Sequence, residues 1–465
     1  MAHVTISTPT GEMTVVDEAE VRALSSRLGG ELLLPGHDGY EEVRRVWNRM
    51  IDKRPALIVR CAGPGDVCEA VRFGQENDLL VSVRGGGHNI AGKATCDGGL
   101  MIDLSGMRRV HVDPVERMAR VEGGALLGDL DREAQVFGLA TTAGVVTHTG
   151  VGGLTLGGGV GRLARKYGLA CDNLLAVEVV TASGEVVRAS ARENEDLFWG
   201  VRGGGGNFGV ATAFEFRLHP VGPDVLGGVV VHRLKEARAA LEFYHEYSRT
   251  APDELSADGI FLTSPDGEPA FVISVCYVGP IDEGERVLQP LSRFGAPLSH
   301  EIGHLAYTDV QAAADAFFPI GPCFYWKSHF LKDISDDALE LTVDHFAKVP
   351  SPRSLLIFQQ FGGAVGRVTR SDTAFWHRDV QWDNFAVSVW TDPGESEAQK
   401  GWVREWWDLM TPFSMGGEYV NNLGEEGEDR VVASYGGNYE RLVTLKNKYD
   451  PTNFFRLNAN IAPSM

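Results

Sequence analysis

The run Ser82-Val83-Arg84-Gly85-Gly86-Gly87-His88-Asn89 is the most informative stretch for the fold. It begins as a β-strand, which we expect to span 79–84, and it ends in three consecutive glycines followed by a histidine. Backbone amides in such a glycine turn can face the pyrophosphate of a nucleotide cofactor. Taken alone, the run is equally typical of a strand that turns at the surface and exposes a histidine, so further motifs are needed to decide.

Glycine is concentrated in three clusters, all in the first half of the chain. Of the 465 residues, 56 are glycine, against an average near ~7%. The clusters lie at 85–87, 150–161 and 203–209. Seven glycines in the twelve positions 150–161 disfavour a helix or an ordinary strand. Because apolar residues separate these glycines, we expect a loop that wraps closely around a ligand rather than a flexible linker.

The third cluster has the spacing of a dinucleotide-binding fingerprint, at Gly204, Gly206 and Gly209. That fingerprint indicates a Rossmann fold only when a strand precedes it and a helix follows. Residues 211–216 alternate like a strand instead, so we reject a Rossmann-type site. The sequence also has no P-loop lysine motif, and nucleotide hydrolysis is therefore not supported.

The remaining pattern predicts short strands and helices. In the first half we expect helices at 67–75, N-capped by Asp66, and at 127–137. A Ser183-Gly184 turn predicts a hairpin. The expected strands of the chain are 55–62, 79–84, 100–104, 109–112, 119–122, 177–181, 186–188, 213–219, 271–277, 354–361 and 381–390.

The second half is richer in tryptophan. A helix is expected there at 283–294, and another at 439–448 near the C-terminus. Seven of the nine tryptophans lie between Trp326 and Trp407, which suggests an apolar compartment lined by aromatic side chains.

Composition excludes several classes of function. The 63 acidic and 43 basic residues give a net charge of −20, which disfavours binding to nucleic acids and to anionic membranes. No apolar run reaches the length of a membrane span, and the first residues do not resemble a signal peptide. The six cysteines are scattered and form no zinc-type spacing, so we expect no metal site and a reducing, cytoplasmic setting.

Taken together, the motifs resemble the berberine-bridge-enzyme-like FAD-linked oxidases of the vanillyl-alcohol-oxidase (PCMH-type FAD) superfamily, and within them bacterial members of the 6-hydroxynicotine-oxidase kind. The resemblance covers nearly the whole chain. The stretches that carry it are Arg84-Gly85-Gly86-Gly87-His88-Asn89, 150–161, Tyr167-Gly168-Leu169-Ala170-Cys171-Asp172-Asn173, Asn207-Phe208-Gly209-Val210, Asn438-Tyr439-Glu440-Arg441-Leu442 and Tyr449-Asp450-Pro451.

The resemblance implies an α+β fold with two domains. A PCMH-type FAD-binding domain would comprise residues 1–220 and return at 419–465. The substrate-binding domain would lie between them, at 221–418, as a large antiparallel sheet backed by helices.

The resemblance also implies an FAD cofactor bonded covalently to His88. Many relatives carry a second bond from a cysteine at the position of Val146, which has no nucleophile, so we expect a single link. Thr149 would abut the flavin and govern access of oxygen. The residues expected to bind FAD are Arg84, Gly85, Gly86, Gly87, His88, Asn89, Thr149, Gly150, Gly152, Gly153, Gly157, Gly158, Gly161, Asn207, Gly209, Val210, Asn421, Asn438 and Tyr439.

Three residues are candidates for catalysis by the same resemblance. Lys327 lies between aromatic residues and would act as a base or hydrogen-bond donor, and Tyr419 belongs to a tyrosine-x-asparagine element near the flavin. Asn384 lies on an expected strand, and Asp383, the only acid there, faces the opposite way. No carboxylate base is therefore assigned, and His377 is expected to be structural.

The implied activity is the oxidation of a small organic substrate, an amine, an alcohol or a phenolic compound of secondary metabolism or catabolism. Dioxygen would be the second substrate and would be reduced to hydrogen peroxide. Two alternatives stay open at this point. One is a flavin dehydrogenase with another electron acceptor, and the other is a flavin-bound cyclase or scaffold without net redox turnover.

Overall fold

A computed structural model describes residues 3–464. Its strands are β1 (His3–Ser7), β2 (Met13–Asp17), β3 (Glu31–Leu33), β4 (Leu57–Arg60), β5 (Val81–Arg84), β6 (Leu100–Asp103), β7 (Val110–Asp113), β8 (Met118–Glu122), β9 (Leu139–Ala140), β10 (Leu174–Val180), β11 (Val186–Ser190), β12 (Val210–Arg217), β13 (His219–Pro220), β14 (Asp224–Arg233), β15 (Leu255–Thr263), β16 (Pro269–Tyr277), β17 (Ser299–Ala306), β18 (Cys323–Leu331), β19 (Leu355–Gln360) and β20 (Trp382–Trp390).

The helices pack over the sheets or lie in the segments that connect the strands. They are α1 (Glu18–Arg27), α2 (Tyr40–Val43), α3 (Pro64–Glu76), α4 (Leu127–Gln135), α5 (Val151–Leu156), α6 (Ala164–Tyr167), α7 (Glu195–Gly200), α8 (Ala237–Thr250), α9 (Ile281–Arg293), α10 (Tyr307–Ala312), α11 (Asp336–Phe346), α12 (Ala364–Arg367), α13 (Ser396–Met410), α14 (Glu428–Tyr435) and α15 (Tyr439–Tyr449).

Two sheets build the first region of the molecule. The four-stranded sheet has the order β3-β4-β6-β5, and the five-stranded sheet has the order β11-β10-β12-β8-β7. Strands β4 and β5 both run parallel to β6, and helix α3 makes the crossover that parallel strands require. The expected strand before the glycine turn is thus confirmed as β5, and His88 lies four residues beyond its end.

The predicted start of helix α3 was wrong. The helix begins at Pro64, whose fixed φ angle suits the first turn of a helix. Asp66 lies inside that turn and does not cap it. Its carboxylate instead accepts hydrogen bonds from the amides of Gly29, Gly30 and Ala62, so it ties the helix to a neighbouring loop.

A seven-stranded antiparallel sheet, in the order β17-β14-β16-β15-β19-β20-β18, forms the second region. Alternate side chains point to opposite faces. One face, which includes Phe358, Trp382 and Ala386, packs against helices α8, α11 and α13. The other face, with Ile357 and Val387, meets Trp47 of the first region. The expected α+β class with a helix-backed antiparallel sheet is confirmed.

The tryptophans do not form the compartment that their clustering suggested. Trp382, Trp402 and Trp406 belong to the core between the sheet and its helices. Among the seven, only Trp326 lines the cavity described below, and the first region contributes Trp47 to it. The clustering of tryptophans in the sequence therefore indicated a hydrophobic core and not a binding site.

Helix α5 corrects the expectation for 150–161. Val151 and Leu156 are buried in the core of the first region, and this packing outweighs the weak helix propensity of the glycines. Gly152 packs closely on another segment, because a Cβ there would lie 3.0 Å from the carbonyl oxygen of Gly123. Residues beyond 156 form the expected irregular loop.

The last residues return to the first region. Leu442 and Leu445 of α15 pack in the same core as Trp199 and Phe208. Strand β12 begins at Val210, directly after the glycines, which confirms the rejection of a Rossmann-type site. No helix within residues 3–464 is long and apolar enough to cross a membrane.

Candidate active site

A cavity of about 340 Å³ lies between the glycine loops of the first region and strands β18, β19 and β20 of the seven-stranded sheet. The predicted site residues divide into two groups around it. Those that line the cavity are Gly85, Gly86, Gly87, His88, Asn89, Thr149, Gly150, Gly152, Gly153, Gly209, Val210, Tyr419 and Asn421.

Two glycine loops meet back to back beneath the cavity. A Cβ on Gly86 would lie 2.2 Å from the amide nitrogen of Gly150, and a Cβ on Gly150 would lie 2.3 Å from that of Gly86. Any side chain at either position would therefore push the loops apart. This contact fixes His88 and Thr149, which follow and precede these glycines, on one wall of the cavity.

Other glycines leave the cavity open. A Cβ on Gly153 or Gly206 would meet no atom within 4 Å, and both residues line the cavity. The space there exists because these positions carry no side chain, and their amides are accessible to a ligand. The loops therefore form a cradle that fits the dinucleotide of the expected FAD.

His88 is held from three sides. Its Nε2 lies 2.7 Å from Nδ1 of His148, its Nδ1 lies 3.4 Å from the hydroxyl of Thr149, and its ring stacks on Trp47 at a centroid distance of 4.7 Å. Burial, and secondarily the neighbouring His148, lower the pKa of His88 to about 3. The imidazole is therefore neutral at pH 7, and when Nε2 donates to His148 the lone pair lies on Nδ1.

Tyr419 and Asn421 connect the C-terminal segment to the glycine loop. The Tyr419 hydroxyl accepts hydrogen bonds from the amide of Gly159 at 2.7 Å and from Nδ2 of Asn421 at 2.8 Å. Asn421 Nδ2 also donates to the carbonyl of Leu154. Burial raises the pKa of Tyr419, so the phenol stays protonated at neutral pH. This network holds the two segments in register around the cavity.

The second group of predicted FAD residues lies behind the cavity wall. Arg84 forms an ion pair with Asp103 at 2.8 Å and thereby braces the end of β5. Asn207 donates to the carbonyls of Gly204 and Ala459 and joins the third glycine loop to the C-terminal tail. The other expected FAD residues that do not line the cavity are Gly157, Gly158, Gly161, Asn438, which donates to the carbonyl of Arg370, and Tyr439, whose ring lies 6.4 Å from that of Tyr435.

Two of the expected catalytic residues are placed away from the cavity. Lys327 lies on the helix-packed face of the sheet, where its ammonium pairs with Glu426 and lies 4.5 Å from the centre of the Trp407 ring. Asn384 lies on the same face and donates to the carbonyl of Ile357 at 3.1 Å. Because side chains alternate along a strand, these residues point away from the side that lines the cavity.

His377, expected to be structural, does not line the cavity. It is buried, and its Nε2 contacts the carbonyl oxygen of Ala433 at 3.2 Å. Burial lowers the pKa of its imidazole, so the ring stays neutral. Its hydrogen bond joins the loop around residue 377 to helix α14.

Sequence reasoning missed the residues that the sheet presents to the cavity. Trp326, Gln359 and Phe385 line it, as does Asn422 from the C-terminal segment. Asn422 Nδ2 donates to Asp383 Oδ2 at 2.7 Å. Asp383 is fully buried, and burial, together with the nearby Glu418, raises its pKa well above the ordinary value. Because side chains alternate along β20, Asp383 and Phe385 point to the face opposite that of Asn384. Nothing in the sequence indicated which of these two faces lines the cavity.

Comparison with known proteins gives consistent matches along the chain. The family profile described as "FAD binding domain" matches residues 55–190, and "Berberine and berberine like" matches 418–462. An FAD-linked oxidoreductase of Dictyostelium discoideum is 34% identical over 448 residues, which cover 95% of this chain and 97% of that protein. (R)-6-hydroxynicotine oxidase of Paenarthrobacter nicotinovorans is 33% identical over 447 residues, covering 93% and 97%.

The fold comparison agrees with these matches. A crystal structure of 6-hydroxy-D-nicotine oxidase from Arthrobacter nicotinovorans superposes with a TM-score of 0.86 at 32% identity and covers 94% of this chain and 98% of that one. A variant of berberine bridge enzyme superposes with a TM-score of 0.86 at 21% identity and covers 97% of this chain and 100% of that one.

Proposed function

Since the chain belongs to the berberine-bridge-type family of FAD-linked oxidoreductases, we propose that it is an oxidase that carries FAD on His88 alone and passes electrons from a small organic substrate to dioxygen. FAD-dependent oxidoreductase activity is the common property of the relatives. The relative named as an oxidase, with 33% identity along almost the whole chain, supports dioxygen as the acceptor.

The geometry of His88 carries the proposal of a covalent link. When Nε2 of the neutral imidazole donates to His148, the free lone pair lies on Nδ1, and the Trp47 and Thr149 contacts fix the direction of that lone pair. A protonated imidazole could not form a bond to the cofactor, so the low pKa of His88 favours the reaction at neutral pH.

A second link has no nucleophile available. Val146 lines the cavity, at the position where the family resemblance implies a second link through a cysteine. All six cysteines are buried as free thiols, and within residues 3–464 none of them lines the cavity. We therefore expect one bond, through His88.

The protein residues supply position and environment. When bound, FAD accepts a hydride from the substrate, and a histidyl link makes that acceptance easier. The glycine loops would hold the dinucleotide, and Tyr419 and Asn421 would keep the C-terminal wall closed over it. The side chains of β18, β19 and β20 would orient the substrate and exclude water.

Two measurements test the proposal. After acid precipitation the protein should stay yellow, and peptide mass spectrometry should place FAD on the His88 peptide. His88→Ala should abolish the covalent adduct, while Val146→Ala, the control on the same wall, should retain it. A colourless pellet from the wild-type holoprotein would contradict the link.

The acceptor is tested separately. Anaerobic screening of amines, alcohols and phenols for bleaching of the flavin identifies a substrate, which is then turned over in air. One hydrogen peroxide released per substrate oxidised is expected for an oxidase. Reduction of an artificial dye without oxygen uptake would assign a dehydrogenase instead.

A further inference from the structure

Residues 313–322, which connect α10 to β18, separate the cavity from solvent on one side, and we call them the cover segment. The side chain of Phe318 lines the cavity. Its neighbours in the segment point outward, because Phe317 is 42% exposed and Ile320 is 72% exposed. A single layer of chain therefore covers the cavity here, and its displacement would open a path from solvent.

The seam between the two regions of the molecule is held by buried arginines. Arg162 pairs with Asp258 of the sheet at 2.7 Å, and the two side chains are 6% and 8% exposed. Arg165 donates to three backbone carbonyls of the second region, and Arg378 of that region pairs with Asp172 at 2.7 Å. Separation of a buried ion pair leaves charges without compensation. Entry of a ligand by parting the two regions is therefore disfavoured.

The cover segment lies between two fixed ends. Just before it, the Gln311 side chain donates to Asp131 and to the carbonyl of Gly144. Just after it, Cys323 begins β18 and belongs to the seven-stranded sheet. Gly321 has a φ of +114°, and a glycine near the end of a loop can absorb a change of backbone angle. The segment can therefore turn without displacing α10 or β18.

One side chain makes the main attachment of the cover segment to the first region. Asp315 accepts a hydrogen bond from the amide of Thr147 at 2.8 Å with Oδ1, and another from the Thr147 hydroxyl with Oδ2. The carbonyl of Phe318 accepts from the indole of Trp47 at 2.9 Å, and the carbonyl of the last residue of the segment accepts from the amide of Arg49 at 3.1 Å. Because a carboxylate is the stronger acceptor, the two bonds to Thr147 hold the segment most firmly.

The attachment point belongs to the wall of the candidate active site. Thr147 lies between Val146, which lines the cavity, and His148, whose Nδ1 is 2.7 Å from Nε2 of His88. Release of Asp315 would therefore free the cover segment directly beside His88.

From these contacts we propose that the cover segment is the gate through which the substrate enters, and that Asp315 bound to Thr147 is its latch. The inference rests on the proposed function, because it takes the cavity as the site of the flavin. With the latch closed, Phe318 stays on the cavity and water is excluded from the reaction. With the latch broken, the segment turns near Gly321 and carries Phe318 away from the cavity.

Hydrogen exchange of the purified holoenzyme, followed by mass spectrometry, tests the latch. In Asp315→Ala the amides of 313–322 should exchange about tenfold faster than in the wild type, because the lost hydrogen bonds shift the local opening equilibrium. Peptides that contain Arg162 and Arg165 should exchange as before. Asp309→Ala, which removes an exposed carboxylate of α10 outside the latch, is the matched control and should behave like the wild type. Unchanged exchange of 313–322 in Asp315→Ala would overturn the proposal.

Thr147→Val keeps the test decisive if Asp315→Ala fails to fold. It removes only the hydroxyl donor and retains the amide, so the exchange of 313–322 should increase by less than in Asp315→Ala but remain faster than in the wild type. Wild-type exchange in a folded Thr147→Val protein would overturn the latch.

Access to the flavin tests the gate. The holoenzyme is photoreduced without oxygen and then mixed with dioxygen or with the larger acceptor dichlorophenolindophenol. In Asp315→Ala the dye should oxidise the flavin about tenfold faster than in the wild type, in proportion to the open population. The rate with dioxygen should change little, because so small a molecule needs less opening. Faster exchange of 313–322 without a faster reaction with the dye would show that the segment moves but is not the entrance, and would overturn the gate.

Failure of the gate is distinguishable from failure of the proposed function. Hydrogen exchange does not depend on the flavin, and the flavin link is read from the acid-precipitated protein. A covalently flavinylated enzyme whose Asp315→Ala form exchanges like the wild type would overturn only the gate. A protein without covalent flavin whose cover segment still exchanges faster in Asp315→Ala would support the latch and overturn only the link through His88.

Discussion

On β18 and β20, each residue that faces the cavity has a neighbour one position away that packs against helices. Trp326 and Phe385 line the cavity, whereas Lys327 and Asn384 lie on the other face among Trp407, Glu426 and the carbonyl of Ile357. Both faces carry polar residues that could take part in catalysis. The comparison teaches that residue type alone does not assign a role, because the alternation of the strand decides which group meets the ligand.

Lys327→Met tests the helix-packed face with the largest expected effect. Its side chain is only 9% exposed and pairs with Glu426, so removal of the ammonium should leave a nearly buried carboxylate without its partner. We expect the free energy of unfolding to fall by about 3 kcal/mol, as measured by urea denaturation. The rate of flavin reduction should change far less than the ~10²–10⁴-fold that an acid–base catalyst contributes.

The double variant Lys327→Met, Glu426→Leu is the control for that prediction. It removes both charges and should recover most of the lost stability, because no buried charge is then left unpaired. A Lys327→Met protein of normal stability whose flavin reduction is slowed by about 10²-fold or more would instead restore the catalytic role expected from the sequence.

The variant Asp383→Asn tests the cavity face through the pH dependence of the free energy of unfolding. Below the ordinary pKa of 3.8 the carboxyl is protonated in both the folded and the unfolded chain. Above it, the unfolded chain releases the proton while the folded protein, whose pKa is raised by burial, retains it. The stability of the wild type relative to the variant should therefore fall by about 1.4 kcal/mol per pH unit, until the folded pKa is reached.

Urea denaturation of both proteins between pH 4 and pH 6 measures that difference. Burial also raises the pKa of Glu418, to about 7, so over this range Glu418 stays protonated in both folded proteins and does not alter the comparison. Parallel stability curves over the whole range would show that Asp383 ionises normally and is accessible to water.

Asn384→Ala has the smallest expected effect and sharpens the comparison between the faces. The substitution removes one hydrogen bond to a backbone carbonyl and should cost about 1 kcal/mol of stability. The ratio kcat/KM for the best substrate found should not change, since the side chain does not reach the cavity. A large loss of kcat/KM at unchanged stability would place Asn384 at the substrate after all.

The sequence was most informative where backbone geometry leaves few choices. The triple glycine before His88 predicted the turn that lines the cavity, because only glycine permits the approach of Gly86 to Gly150. The resemblance to a known family then supplied the helix-backed antiparallel sheet. These predictions depend on short contiguous motifs, which are visible in one chain.

The cavity end of the sheet could not be predicted in the same way. Whether Asp383 or Asn384 faces the ligand depends on which face of β20 packs against the helices, and that packing involves residues far away in sequence, such as Trp402 and Trp406. His148 and Trp47 were missed for a similar reason. Their roles follow from contacts with His88, which lies 60 positions from His148 and about 40 from Trp47. Neither residue belongs to a motif of its own.

Helix α5 shows the limit of local propensity. Seven glycines in 150–161 argued against a helix, yet the burial of Val151 and Leu156 stabilises one across half of that segment. Propensity is a weak prior that tertiary packing overrides. Where glycine is required for close contact between backbones, as between Gly150 and Gly86, its presence says little about secondary structure.

The return of the C-terminal tail has a consequence for the order of events during synthesis. Lys93 donates to the carbonyl of Asn458, and Asn207 to that of Ala459, so the first glycine loops are joined to residues made hundreds of positions later. A ribosome adding 5–20 residues per second needs roughly 20 to 70 s to travel from Lys93 to Asn458 and roughly 13 to 50 s from Asn207 to Ala459. During that interval His88 is already outside the ribosome, but the wall opposite it does not yet exist. We therefore expect the flavin link proposed at His88 to form after translation, so that a nascent chain stalled before residue 450 should emerge without it.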